Sequence, residues 1–231
     1  MKKLGLIGGM GPQSTVPYYM NIVYGIRERV NPDFFPNLTV ESLNVFEILH
    51  YIGAGEYKKV IDLFLGALEN LKNTGCEIAA LTANTAHIVF DELVEQSPLP
   101  LISIVESTCA EAKLRGYKKL ALLGTNFTME RDFYKKPFLR EGIEIIVPET
   151  AERKLIDDRI VSELEMGVVK NSTRQEFIEI INRLKSDGHA DAVILGCTEL
   201  PLILSDETSP IPCLDTVKIH SQALIEASLQ E

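Results

Sequence analysis

The strongest nucleophiles in this chain are four cysteines, Cys76, Cys109, Cys197 and Cys213, and one of them stands in a setting suited to proton transfer. Cys197 follows the apolar run Ala192–Leu195 and precedes Thr198, Glu199 and a short helical pattern. A thiol at a helix start has its thiolate favoured by the helix dipole, so a lowered pKa and a role as nucleophile or base are expected of Cys197. The other three read as small buried hydrophobes. No C-x-x-C pair and no histidine at ligand spacing accompanies any of the four, so neither a zinc site nor a disulfide framework is expected.

Three further turns carry polar or glycine-rich chemistry. Gly8–Thr15 reads GGMGPQST after the first apolar run. Glycines there let the backbone approach a bound anion, with a helix N-terminus facing it. The turn has neither the third glycine of a dinucleotide loop nor the Gly-Lys-Ser/Thr of a Walker loop. Taken alone, the turn reads better as a tight turn capped by Ser14. Thr82–His87 reads TANTAH, in which Asn84 and Thr85 suit either helix capping or a grip on a carboxylate. His87 reads as a packing or capping histidine. The last turn follows Lys119–Leu123 and contains Thr125.

The elements that would position these turns alternate along the chain. Leu4–Ile7, Leu38–Leu43, Glu77–Leu81, Leu101–Ile104, Lys119–Leu123, Ile143–Val147 and Ala192–Leu195 read as strands. Helical patterns cover about 14–30, 57–74, 106–115, 128–140, 152–167, 173–186 and 217–229. Strand and helix in alternation mean α/β lobes, each a mainly parallel sheet flanked by helices. Ligands bind beyond the carboxyl ends of such strands, where all four turns fall. The chain also repeats itself. KKLGLIG at Lys2–Gly8 returns as KKLALLG at Lys118–Gly124, and the same offset carries Tyr18 onto Tyr134. EIAALTANT at Glu77–Thr85 returns as DAVILGCTE at Asp191–Glu199, which pairs Ala83 with Cys197. Two ordered matches favour two homologous lobes: residues 1–100 with 212–231, and residues 101–211.

The chain has 231 residues and a net charge of −10. That balance argues against nucleic acid as the main partner, because phosphate contacts need clustered Lys and Arg. No stretch approaches the ~18 apolar residues of a membrane-spanning helix, and the amino end lacks a secretory pattern. A cytoplasmic protein is the expectation.

IGGMGP at Ile7–Pro12, N-T-A-H at Asn84–His87, LLGT at Leu122–Thr125 and LGCTELP at Leu195–Pro201 together resemble the aspartate/glutamate racemase family. Glu199 stands where glutamate racemases usually carry a histidine, which favours the aspartate racemase branch. The resemblance implies two pseudo-symmetric lobes with the active site between them, a homodimer, a small anionic amino acid as substrate, and no cofactor or metal. It also implies two cysteines on opposite faces of the substrate α-carbon, one a thiolate base and the other a thiol acid. Carried over by position, Cys197 is the second-lobe catalytic cysteine, serving the L face. Asn84, Thr85 and Thr198 donate to the substrate carboxylate. Met10, Gly11, Thr125 and Glu199 complete the binding set.

The chain departs from the family pattern in two places. Ala83 occupies the position of the first cysteine, and alanine moves no proton. A water or a neighbouring hydroxyl is the candidate replacement, Thr82 being one such hydroxyl, against which stands the strand alternation that turns it away from the cleft. A related decarboxylase branch has only the second-lobe cysteine, so a one-cysteine lyase or decarboxylase of a small dicarboxylate is the alternative. A binding protein that lost the chemistry is a third reading, disfavoured by the retained Cys197, Asn84, Thr85 and Thr198. The second departure concerns the distal carboxylate. Its usual basic anchors are replaced by Asn44–Glu47 and by Glu163 and Glu165, which read as solvated helix faces. His50, Arg131, Arg153 and Lys154 are the remaining candidate anchors.

Overall fold

The computed structural model describes residues 1–230, the Pro12 side chain excepted. Residues Met1–Ile104 and the chain from His220 onward form one compact unit, and Val105–Ile219 form a second.

In the first unit the order is β1 (Leu4–Gly8), α1 (Pro12–Val30), β2 (Leu38–Ser42), α2 (Val45–Gly53), α3 (Tyr57–Asn73), β3 (Ile78–Leu81) and α4 (Phe90–Gln96). β1 and β3 are buried at every position, as strands covered on both faces of a parallel sheet must be. The sheet order is β2-β1-β3, all parallel, with Leu4 level with both Leu38 and Ile78. α3 lays Val60, Phe64, Leu68 and Leu71 into the core as one stripe. It stops before Gly75, whose φ of +82° suits glycine. The strand expected at Leu101–Ile104 is reduced to a single bridge from Leu101 to Ala79. Pro100 lacks an N–H to extend a ladder, and helix α5 (Ile104–Leu114) starts at once.

The second unit contains β4 (Lys119–Leu123), α6 (Asn126–Glu130), α7 (Asp132–Arg140), β5 (Glu144–Ile146), α8 (Thr150–Ser162), α9 (Asn171–Ser186), β6 (Ala192–Leu195) and β7 (Cys213–Asp215), and α10 (Thr216–Leu229) starts in it. Its sheet runs β5-β4-β6-β7, again all parallel. The first three strands repeat the order β2-β1-β3, in line with the repeated sequence. Tyr18 and Tyr134, paired by the same repeat, are both fully buried.

Three expectations are corrected here. The helix expected over 128–140 breaks at Arg131, which is extended with ψ 145°. The helix expected over 152–167 ends at Ser162, because Glu163 turns inward rather than facing solvent. The Glu163 carboxylate is buried and accepts from Thr173 Oγ1 at 2.5 Å, Lys170 Nζ at 3.0 Å and Arg159 at 3.1 Å. Residues 212–219 fall in the second unit, since β7 pairs with β6, while residues 101–104 fall in the first, which resumes only at His220.

Candidate active site

Two neighbouring turns leave the carboxyl ends of β1 and β3 in the first unit. Gly9 has φ +79° and a Cβ there would collide with the Leu43 carbonyl, so only glycine fits. The turn closes on Thr15, whose hydroxyl accepts from Gly9 N–H at 3.1 Å and donates to the Gly11 carbonyl at 3.3 Å. The closing hydroxyl is therefore Thr15's, and the Gly9 amide is already engaged. Met10 is buried and Gly11 half-buried beside it.

Thr82, the sequence's candidate acid for the second face, is fully buried. Its hydroxyl donates to the Ile7 carbonyl at 3.1 Å and lies 3.4 Å from Thr15 Oγ1. The group is thereby tied into the sheet end. Ala83, the next residue, is only half-buried. Asn84 is buried and Thr85 half-buried at the start of a 3-10 turn over Thr85–Val89. His87 N–H donates to the Asn84 carbonyl at 3.0 Å.

In the second unit the turns after β4 and β6 pack glycine to glycine. Gly196 N–H donates to the Leu123 carbonyl at 2.7 Å, and a Cβ on Gly124 would meet the Gly196 carbonyl oxygen at 3.1 Å. Thr125 caps α6, its hydroxyl accepting from Thr128 N–H at 3.4 Å. Asp157 accepts from the Asn126 N–H at 2.8 Å.

Cys197 sits in the turn after β6, buried, with Sγ donating to Glu199 Oε2 at 2.9 Å. Thr198 Oγ1 donates to the same oxygen at 2.8 Å. Burial pushes the Cys197 thiol well above its usual pKa of 9, and the Glu199 carboxylate pushes it further. This reverses the lowered value expected from sequence. The element that follows is a turn and a three-residue 3-10 helix, Leu200–Leu202, too short to supply a helix dipole. A carboxylate two residues along the chain holds the proton on sulfur instead. Burial also raises Cys109 and Cys213, each to about 11.

Of the acidic groups around this turn, Glu199 and Glu165 were noted in the sequence and Asp157 was not. The Glu165 carboxyl is held above its usual range by partial desolvation and by the charges of Glu199 and Asp157. Arg153 donates to the Pro148 carbonyl at 3.0 Å and to Thr150 at 3.3 Å. Arg131 lies over the Phe127 ring, and His50 and Lys154 are exposed. Among the described residues, no group of three or more His, Cys, Asp or Glu side chains is placed to hold a metal ion. No described helix is long and apolar enough to cross a membrane.

The family model described as Asp/Glu/hydantoin racemase matches residues 7–224. The broad specificity amino-acid racemase RacX of Bacillus subtilis is 27% identical over 233 residues, covering 98% of each chain. A solved structure of a candidate Asp/Glu racemase from Yersinia pestis has a TM-score of 0.93 at 32% identity, over 100% of both chains. An aspartate racemase homologue from Pyrococcus horikoshii OT3 has a TM-score of 0.87 at 35% identity, also over 100% of both chains.

Proposed function

This chain belongs to the Asp/Glu/hydantoin racemase family, and on that premise we propose that it is an amino-acid racemase in which Cys197 moves the substrate α-proton. The observation that carries this reading is the Cys197 thiol lying 2.9 Å from the Glu199 carboxylate. At rest the sulfur keeps its proton. To act as base it first passes that proton to Glu199, and the resulting thiolate takes the α-proton. In the reverse sense the thiol protonates the carbanion and recovers a proton from Glu199. Glu199 is thus read as the proton relay of the thiol rather than as a group gripping substrate. Thr198, hydrogen-bonded to the same oxygen, steadies that carboxylate.

Charge that leaves the α-carbon spreads onto the substrate carboxylate, so donors aimed at that carboxylate lower the barrier. Asn84 and Thr85 are assigned that role. Inversion also needs an acid on the opposite face of the planar carbanion. Ala83 supplies none, and the Thr82 hydroxyl is given to Ile7. Water is then the proton source on that face, which makes proton removal fast and inversion slow. The reading extends to a homodimer that works without cofactor or metal on aspartate or glutamate.

Chiral chromatography of products from L- and D-aspartate and glutamate, with neutral and basic amino acids alongside, tests the activity and its substrate class. The basic substrates belong in the panel because the charges of Glu199 and Asp157 both act on Glu165. Absence of the opposite enantiomer with every substrate would refute the racemase reading.

A further inference from the structure

His87 is buried in the first unit and uses both ring nitrogens. Nδ1 lies 3.0 Å from the Ala83 carbonyl oxygen, and Nε2 accepts from the Ile104 backbone N–H at 3.2 Å. A carbonyl only accepts and an amide N–H only donates, so the ring is neutral with its proton on Nδ1. Phe90 stacks on it at 4.7 Å between centroids, and His220 meets it edge-on at 6.4 Å. His220 is fixed in turn, accepting from Tyr18 O–H at 2.7 Å and donating to the Ile102 carbonyl at 2.9 Å. His87 therefore has a single orientation, with Ala83 as its one acceptor.

The peptide unit is planar, so fixing its oxygen also fixes the N–H at its other end. Holding the Ala83 carbonyl sets the direction of the Asn84 N–H. The His87 backbone N–H holds the next carbonyl, that of Asn84, and so sets the Thr85 N–H in the same way. These two peptide units carry the residues read above as carboxylate donors.

We propose that His87 is a positioning residue for the reaction, its imidazole orienting the Ala83–Thr85 turn by the bond from Nδ1 to the Ala83 carbonyl. This rests on the reading of Asn84 and Thr85 as the donors to the substrate carboxylate. A donor displaced by about 1 Å costs on the order of 100-fold in rate, so the bond has a measurable consequence. The same turn without that bond keeps its sequence but not its aim.

Two amide replacements separate the two bonds of the ring. In His87→Asn the side-chain amide reaches as far as Nδ1 and retains the donor to Ala83. In His87→Gln it reaches as far as Nε2 and retains the acceptor for Ile104. His87→Asn is expected to keep kcat within about 3-fold of wild type, whereas His87→Gln loses roughly 100-fold. The two variants are expected to melt within a few degrees of each other. Amide hydrogen exchange at Asn84 and Thr85 should quicken in His87→Gln and not in His87→Asn. Equal losses of kcat in both variants, in step with melting temperature, would show a merely structural histidine and overturn the proposal. So would wild-type kcat in His87→Gln. A wild type that turns over no amino acid overturns the racemase reading and this one with it, whereas an active wild type with an unaffected His87→Gln overturns this one alone.

Discussion

Lowering the pH from 7 to 4 should destabilise the first unit through the two histidines it keeps neutral. Burial is the main cause in both, lowering His87 from 6.5 to about 4 and His220 to about 3, with His87 adding to the shift of His220. At pH 7 the folded chain keeps these rings neutral and the unfolded chain protonates them only in small part, so their pH-dependent contribution is small. As pH falls below about 6.5 the unfolded chain takes up protons that the folded chain refuses, so stability drops. The drop levels off once the folded rings protonate, near pH 4 for His87 and pH 3 for His220. At about 1.4 kcal/mol per pH unit, each ring removes about 3 kcal/mol by pH 4. The pair together is comparable to the whole stability of a typical domain. The assay is urea unfolding at pH 7 and pH 4, followed by circular dichroism, for wild type and His220→Gln. The glutamine retains a donor for the Ile102 carbonyl and removes the acceptor of the Tyr18 hydroxyl. We expect His220→Gln to lose about 1–2 kcal/mol at pH 7, yet to fall by about 3 kcal/mol less than wild type on going to pH 4. The carboxylates titrate alike in both proteins and cancel in that difference. An identical fall in the two proteins would refute the assignment of His220 as a buried neutral ring.

Cys76→Ala, Cys109→Ala and Cys213→Ala should each cost about 1–2 kcal/mol of stability and leave turnover within 2-fold, read by denaturant unfolding and chiral chromatography. Glu199→Gln should lower turnover by roughly 100-fold or more while making Cys197 more reactive toward iodoacetamide, since the carboxylate that holds the thiol protonated is gone. Ala83→Cys should raise inversion in both directions by at least 10-fold, because it places a thiol where the family resemblance puts the second acid and base. Initial rates of L-to-D and D-to-L conversion that both stay at the wild-type level in that variant would refute the reading of position 83.

The two units were legible because parallel strands leave unbroken apolar runs, and the repeat KKLGLIG/KKLALLG marks equivalent strands in sheets of the same order. β7 was not, since Cys213 and Leu214 are its only apolar residues and Pro212 and Asp215 bound them too closely for an apolar run. Nor was α2, whose start is set by Asn44 Oδ1 accepting the Phe46 N–H rather than by a periodic run. The place of Cys197 in the polar turn that follows β6 was readable. Its protonation state was not, because it depends on where the Glu199 side chain folds back, and the sequence suggested a helix start instead. Thr82 is the opposite case, since alternation along the strand argued against it from the sequence. Its hydroxyl is polar and adjacent to the right position, but alternation along the strand end turns it onto the Ile7 carbonyl. Glu163 read as a solvated acid because its partners, Arg159, Lys170 and Thr173, come together only when α8 ends.

The central claim is that Cys197 removes the α-proton from one face of an amino acid. Proton NMR of L- and D-aspartate and glutamate in heavy water, with wild type and Cys197→Ser, tests it most directly. Wild type should exchange the α-proton of the L form for deuterium much faster than it forms D product, and Cys197→Ser should exchange neither enantiomer. Undiminished exchange in Cys197→Ser, or equal and rapid exchange of both enantiomers by wild type, would contradict it.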